Sequence, residues 1–164
     1  MKTESPKFVY MTLIATTPEK LWEALTKPEF TRLYWFGTDV ESDWRPGSPV
    51  VYRWRGKISD EGSVLKCEPP RLLSYTFHHL LDEELRKEPP SKVTFEIEKL
   101  GSEAVSGESD MGLRGSAVRL TVTHEDFPPD SKLYPEIAKG WPSIVSNLKT
   151  LLETGKPLEV VYEG

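Results

Sequence analysis

The segment SKLYPEIAKGWPSIVSNLKTLLE, residues 131–153, decides the fold predicted for this chain. Its apolar residues recur at alternating intervals of three and four, which is the spacing of one face of an α-helix. Such a helix is about 34 Å long at about 1.5 Å per residue. It stops before the Gly-Lys-Pro sequence at 155–157. Pro142 lies inside the segment, so we expect a kink there, because proline cannot donate a backbone hydrogen bond.

Short strands precede this helix. Six segments rich in β-branched and aromatic residues, several of them strictly alternating, predict strands at 8–15, 50–54, 57–66, 72–78, 92–99 and 118–124. We expect a bulge or bend in the third strand at 60–62. Two short helices are predicted after the first strand, one begun by Thr17 and Pro18 and one over 29–35. The order predicts an α+β fold, with a six-stranded antiparallel sheet whose one face is covered by the long helix.

Size and composition limit the classes of protein to which this chain can belong. Its 164 residues suit one domain spanning residues 1–164, and its formal net charge of -5 argues against nucleic acid as the main partner. No apolar run is long enough to predict a membrane span, and the N-terminus lacks the apolar core of a signal peptide. The single cysteine, Cys67, excludes an intramolecular disulfide. We therefore expect a cytoplasmic protein that acts as a monomer or weak homodimer. The Gly/Ser/Glu-rich stretch at 101–115 predicts a mobile hairpin loop.

Several local motifs appear in a characteristic order. They are ATTPEKLWEAL (15–25), YWF (34–36), EGSVL (61–65), EPPRLLSY (68–75), LTVTHE (120–125) and GW (140–141). With the order of elements, they resemble the START-like helix-grip superfamily, also called SRPBCC, and within it the branch related to the activator of the heat-shock protein ninety ATPase. The resemblance implies a curved antiparallel sheet that grips the C-terminal helix around an apolar cavity. Many relatives bind small hydrophobic molecules there, and some are cyclases or other lyase-like enzymes.

Alternation along the strands and the helix period predict one inward-facing set of side chains. It comprises Tyr52, Trp54, Tyr75, Phe77, Phe95, His124, Ile137 and Trp141, and we expect Trp35 and Phe36 to close one end of it. Two arrangements fit this set. The rings fill a closed core, since aromatic side chains dominate cores through their buried area. Alternatively, they line an open pocket for an apolar or aromatic ligand.

The histidines support different chemistry. His124 follows inward apolar positions on its strand, so we expect its side chain to point inward as well. Its imidazole is then either a hydrogen-bonded structural group or a group that binds a ligand or acts on it as a general acid or base. His78 and His79 point to opposite faces of their strand, and with Cys67 they lack the spacing of a metal site. We expect no metal and no cofactor.

Three functions follow from these observations. The first is binding of a small hydrophobic or aromatic molecule between the sheet and the long helix. The second is regulation of a chaperone ATPase through surface contact, which would leave the inward aromatic residues dispensable. The third is a cyclase- or dehydratase-like reaction with His124 as the acid or base, assisted by Tyr52 or Tyr75. Nothing in the sequence requires catalysis, so the third ranks below the others.

Overall fold

The computed structural model describes residues 4–101 and 117–159. Its strands are β1 (Phe8–Ile14), β2 (Asp39–Ser42), β3 (Pro49–Trp54), β4 (Lys57–Glu68), β5 (Leu72–His79), β6 (Ser91–Leu100) and β7 (Ala117–Glu125). Its helices are α1 (Pro18–Thr26), α2 (Pro28–Tyr34), α3 (Glu83–Arg86) and α4 (Leu133–Thr154). The strands form one seven-stranded sheet in the order β1-β7-β6-β5-β4-β3-β2. Every neighbouring pair is antiparallel.

This architecture confirms the predicted α+β helix-grip fold and corrects its strand count from six to seven. The additional strand is β2, which pairs with β3 at one edge of the sheet. Its sequence, DVES, is short and polar, and only Val40 in it is buried. A strand of four residues with one buried side chain is too short to show an alternating apolar pattern, so the sequence carried no sign of it.

Helix α4 covers one face of the sheet, as its amphipathic pattern predicts. Its buried side chains include Leu133, Trp141, Ile144, Val145, Leu148 and Leu151. The helix continues past Pro142, which cannot donate a hydrogen bond to the carbonyl of Ala138. It ends at Gly155, whose backbone has a φ of 85° and whose N–H donates to the Leu151 carbonyl at 2.8 Å. No helix within the described ranges is long and apolar enough to cross a membrane.

The sequence predicted a bulge or bend in β4 at 60–62, and one irregularity borders this stretch. Tyr52 of β3 pairs with Asp60, whereas Arg53 pairs with Ile58, so Ser59 is an extra residue in β4. A second register shift, opposite β5, lies between Val64 and Lys66. Gly62 allows a close approach of the backbone, since a Cβ there would lie 1.6 Å from the Thr76 carbonyl oxygen. The predicted hairpin loop at 101–115 lies, apart from residue 101, outside the described residues.

Candidate functional site

A cavity of about 1030 Å³ lies between the sheet and the N-terminal half of α4. Its apolar wall consists of Trp35, Phe36, Tyr52, Trp54, Phe77, Leu81, Leu85, Leu133, Ile137, Trp141 and Ile144. Its polar wall includes Thr38, Arg55, Ser59, Asp60, His79, Asp82, Glu84, His124, Lys132 and Glu136. Each of the two arrangements predicted for the inward aromatic set therefore holds for part of it. Some of its side chains are packed only in the core, and others border the cavity.

All but two of the predicted lining residues lie on this wall. Tyr75 and Phe95 do not line the cavity, and both are buried beneath it. Their rings contact each other at 6.0 Å between centroids, and the Trp141 ring lies 5.7 Å from that of Phe95. Trp141 from the helix therefore covers this part of the sheet. Alternation along a strand identifies an inward face but not which positions on it another element covers.

The lining rings support one another by edge-to-face packing. Trp35 lies 5.2 Å from Tyr52 and 5.3 Å from Trp141, and Tyr52 lies 5.6 Å from Phe77, measured between ring centroids. Edge-to-face pairs at these distances place the positive edge of one ring on the negative face of the next. The wall is therefore held by contacts among its own side chains.

Two tyrosine hydroxyls meet beneath the cavity. The hydroxyl groups of Tyr52 and Tyr75 form a hydrogen bond, and both side chains are buried. Burial raises the pKa of each phenol above its ordinary value, because the phenolate would lose its hydration. Tyr52 thus contributes its ring to the wall while its hydroxyl is held by Tyr75.

His124 is fully buried, with 0% of its surface exposed. Its Nδ1 accepts a hydrogen bond of 3.1 Å from the indole N–H of Trp141, and its Nε2 lies 2.7 Å from the Ser91 hydroxyl oxygen. Burial lowers the pKa of this imidazole to about 3, so the ring is neutral at physiological pH. Both ring nitrogens have partners inside the protein. This geometry supports the structural role for His124 and leaves no nitrogen free for acid or base chemistry on a ligand.

A second histidine lies at the polar side of the cavity. The Nδ1 of His79 is 2.9 Å from Oδ1 of Asp60, and the Ser59 hydroxyl donates to Oδ2 of the same carboxylate at 2.7 Å. The hydrogen bond that the Asp60 carboxylate accepts from His79 raises the pKa of His79 above its ordinary value, since the carboxylate stabilises the imidazolium form. Asp60 and His79 face each other in the register of β4 and β5. This pair was not predicted from the sequence, although an explicit register for the β4–β5 hairpin would have identified it.

The other residues considered for metal binding lie apart. His78 Nε2 is 2.8 Å from the carbonyl oxygen of Arg86. Cys67 pairs with Leu73 in the ladder of β4 and β5, and burial raises the pKa of its thiol. Across residues 4–101 and 117–159, no three His, Cys, Asp or Glu side chains are grouped as metal ligands.

The connection from β5 to β6 is tied to the start of α4 beside the cavity. The Glu88 carboxylate accepts hydrogen bonds from the backbone N–H groups of Lys132 at 2.8 Å and Leu133 at 3.1 Å, and from the Ser131 hydroxyl at 2.5 Å. The negative charge of Glu88 also interacts favourably with the positive end of the α4 dipole. Because α3 belongs to this connection, the contact also positions the lining residue Leu85.

Comparison with protein families matches residues 15–106 to the family described as activator of Hsp90 ATPase homolog 1-like protein (AHSA1). This match covers more than half of the chain. The chain belongs to the AHSA1 family. The resemblance inferred from the sequence motifs is confirmed. No curated protein matches this AHSA1-family chain by sequence.

Solved structures share the fold of this AHSA1-family protein. The Aha1 dimer from Colwellia psychrerythraea is 18% identical, with a TM-score of 0.66 over 92% of this chain and 98% of that one. An HSP90 activator from Plasmodium falciparum is 20% identical, with a TM-score of 0.65 over 89% and 95%. CalU16 from Micromonospora echinospora is 18% identical, with a TM-score of 0.65 over 94% and 78%. At these identities, the similarity shows a common fold.

Proposed function

We propose that this AHSA1-family protein binds a small hydrophobic or aromatic molecule in the cavity between the sheet and α4. The observation that carries the proposal is the cavity itself, about 1030 Å³ and walled largely by aromatic and aliphatic side chains. Its volume is at the upper end of the roughly 300–1,000 Å³ that ligand sites usually occupy. Phe36, Trp54 and Ile137 are only partly buried at this cavity, whereas Trp35, Tyr52, Phe77 and Trp141 are at most 8% exposed and also belong to the core.

The polar side-chain atoms of Tyr52, Trp54 and Trp141 on the aromatic wall are already used within the protein. The indole N–H of Trp54 donates to the Phe36 carbonyl at 3.1 Å, and that of Trp141 donates to His124. The Tyr52 hydroxyl is bonded to Tyr75. An apolar molecule that contacts this wall therefore displaces water without breaking the hydrogen bonds of these three side chains.

Two measurements test binding. Native mass spectrometry of the purified protein, before and after denaturation, detects a small molecule that is released on unfolding. Calorimetric titration with naphthalene then measures the capacity of the cavity for an apolar probe. Ile137→Trp places a larger side chain into the cavity, and Lys139→Trp adds the same group on the exposed side of α4.

We expect naphthalene to bind the wild type and the Lys139→Trp variant with similar affinity. We expect the Ile137→Trp variant to lose at least about tenfold in affinity, because the added ring occupies the volume that the probe needs. Failure of naphthalene to bind the folded wild type would contradict the proposal. Equal binding by the Ile137→Trp variant would place the binding site elsewhere.

The second candidate function is regulation of a chaperone ATPase of the Hsp90 type, as the family description suggests. One observation favours it. Val9, Met11 and Leu13 are 55%, 61% and 49% exposed on the outer face of the edge strand β1. Neighbouring exposed apolar side chains of this kind are typical of protein contact surfaces.

The test is the ATPase rate of an Hsp90-type chaperone with and without this protein. Met11→Glu places a charge in the apolar strip, and Ile58→Glu places one at an exposed apolar residue of β4. If the strip contacts the chaperone, Met11→Glu abolishes the change in rate and Ile58→Glu preserves it. Absence of any effect by the wild type excludes this function and does not affect the ligand-binding proposal.

A further inference from the structure

We propose that His79 is the polar anchor of the cavity and forms a hydrogen bond with a hydroxyl group on an otherwise aromatic ligand. This inference rests on the proposed ligand-binding function and adds the chemical class of the ligand. Nothing in the family match or the similar folds assigns a role to His79.

The orientation of His79 is set by a short chain of hydrogen bonds. Its Nδ1 faces Oδ1 of Asp60, whose other oxygen accepts a hydrogen bond from Ser59. The Asp60 and His79 side chains are 11% and 21% exposed, and all three residues line the cavity. Both oxygens of the Asp60 carboxylate therefore have partners. The imidazole is held through Nδ1, and the opposite edge of the ring carries Nε2. Within the described ranges, Nε2 of His79 forms no hydrogen bond.

His79 differs in this respect from Tyr52, Trp141 and His124, which also line the cavity. The nitrogens of Trp141 and His124 bond each other and Ser91, and the Tyr52 hydroxyl bonds Tyr75. A ligand cannot use these atoms without breaking a buried hydrogen bond, which is costly. The Nε2 atom of His79 has no such bond to lose among the residues that the structure describes.

The charges around the cavity select the kind of polar group. The carboxylates on its wall are Asp60, Asp82, Glu84 and Glu136, and the lysine and arginine on the wall are Lys132 and Arg55. Lys132 Nζ lies 4.0 Å from Glu84, and the Arg55 guanidinium lies 4.5 Å from the Trp54 ring centroid. The excess of carboxylates disfavours a ligand carboxylate through like-charge repulsion.

A hydroxyl group fits both forms of the imidazole. It donates to Nε2 when the ring is neutral, and it accepts from Nε2–H when the ring is protonated. The hydrogen bond with the Asp60 carboxylate raises the pKa of His79, which favours the protonated form, and a ligand hydroxyl accepts a hydrogen bond from Nε2–H in that form. An uncharged aromatic alcohol or phenol is therefore the ligand class that matches the apolar wall and its anchor together.

The experiment compares naphthalene, naphthol and naphthoate, the latter two substituted at the same ring position, near neutral pH where naphthol is uncharged. The quantity measured is the ratio of naphthol affinity to naphthalene affinity, because this ratio cancels the apolar contacts that the two probes share. We expect His79→Phe to lower the ratio about fivefold, which corresponds to the loss of one net hydrogen bond. His78→Gln is the matched control, since the neighbouring His78 bonds the Arg86 carbonyl. We expect it to leave the ratio unchanged.

His79→Phe leaves the Asp60 carboxylate without its imidazole partner, which can impair folding. A second variant combines His79→Phe with Asp60→Asn and so removes the buried charge. An unchanged ratio in these variants overturns the role of His79 while naphthalene binding upholds the proposed function. Naphthoate binding as tightly as naphthol overturns the assignment of an uncharged ligand. Failure of every probe to bind the wild type overturns the proposed function and this inference together.

Discussion

The indole N–H of Trp141 donates a hydrogen bond of 3.1 Å to Nδ1 of His124 and so joins helix α4 to strand β7. An indole nitrogen can only donate, so Nδ1 of His124 must carry a lone pair. The ring proton is therefore on Nε2, which faces the Ser91 hydroxyl oxygen at 2.7 Å. Trp141 also packs on Phe95 and lines the cavity. One side chain thus fixes a histidine tautomer, docks the helix and forms part of the proposed binding site.

Burial of the neutral His124 ring predicts a loss of stability in acid. The pKa of His124 is lowered from 6.5 to about 3, so below pH 6.5 the unfolded chain binds a proton at this residue and the folded protein does not. The free energy of unfolding should fall by up to about 1.4 kcal/mol per pH unit from this residue alone. Urea unfolding between pH 6.5 and about 4.5 measures the slope. His124→Gln should make it shallower, and an unchanged slope would contradict the neutral buried ring.

The Tyr52 and Tyr75 hydroxyls should be energetically coupled. Tyr52→Phe or Tyr75→Phe alone leaves one buried hydroxyl without its partner, so each should cost about 1–3 kcal/mol. The double variant removes both polar groups and should cost less than the sum of the two. Denaturant unfolding of the three variants provides the double-mutant cycle. Tyr10→Phe, at a partly buried tyrosine of β1, is the control and should stay within about 0.5 kcal/mol of the wild type.

Two glycines should respond to alanine in opposite directions. A Cβ at Gly62 would lie 1.6 Å from the Thr76 carbonyl oxygen, so Gly62→Ala must displace strand backbone and should cost about 3 kcal/mol or more. A Cβ at Gly140 meets nothing within 4 Å. Because Gly140 lies inside α4, Gly140→Ala should stabilise the protein by about 0.5–1 kcal/mol. Thermal or denaturant unfolding of both variants checks the two signs, and equal effects would refute the close approach at Gly62.

The contact between Glu88 and the start of α4 should contribute to stability as a helix cap does. Glu88→Ala removes the acceptor for the Lys132 and Leu133 N–H groups and should cost about 1–2 kcal/mol. Hydrogen exchange at those two amides should accelerate more than exchange at the centre of the helix. Glu83→Ala, at an exposed acidic residue of α3, should change neither measurement. Unchanged amide exchange in Glu88→Ala would show that other groups cap the helix.

Local pattern was sufficient to predict most elements of this fold. Val93, Phe95 and Ile97 alternate along β6 and are all buried, as a strand with one covered face requires. The helix at 131–153 was located to within two residues at its start. The failures were β2 and α3, which are four-residue elements without periodicity. Such short segments depend on their neighbours for stability, so their own residues carry little signal.

The candidate site depended on the tertiary structure to a greater degree. The sequence by itself determined the elements, their inward faces and the aromatic set, because these follow from the geometry of one strand or one helix. Only the tertiary structure decided that Trp141 covers Phe95 and that Asp60 contacts His79. It also decided that both ring nitrogens of His124 have hydrogen-bond partners. Each of these is a contact between residues distant along the chain. The register of β4 and β5 and the position of α4 select such contacts, and the space left after packing forms the cavity.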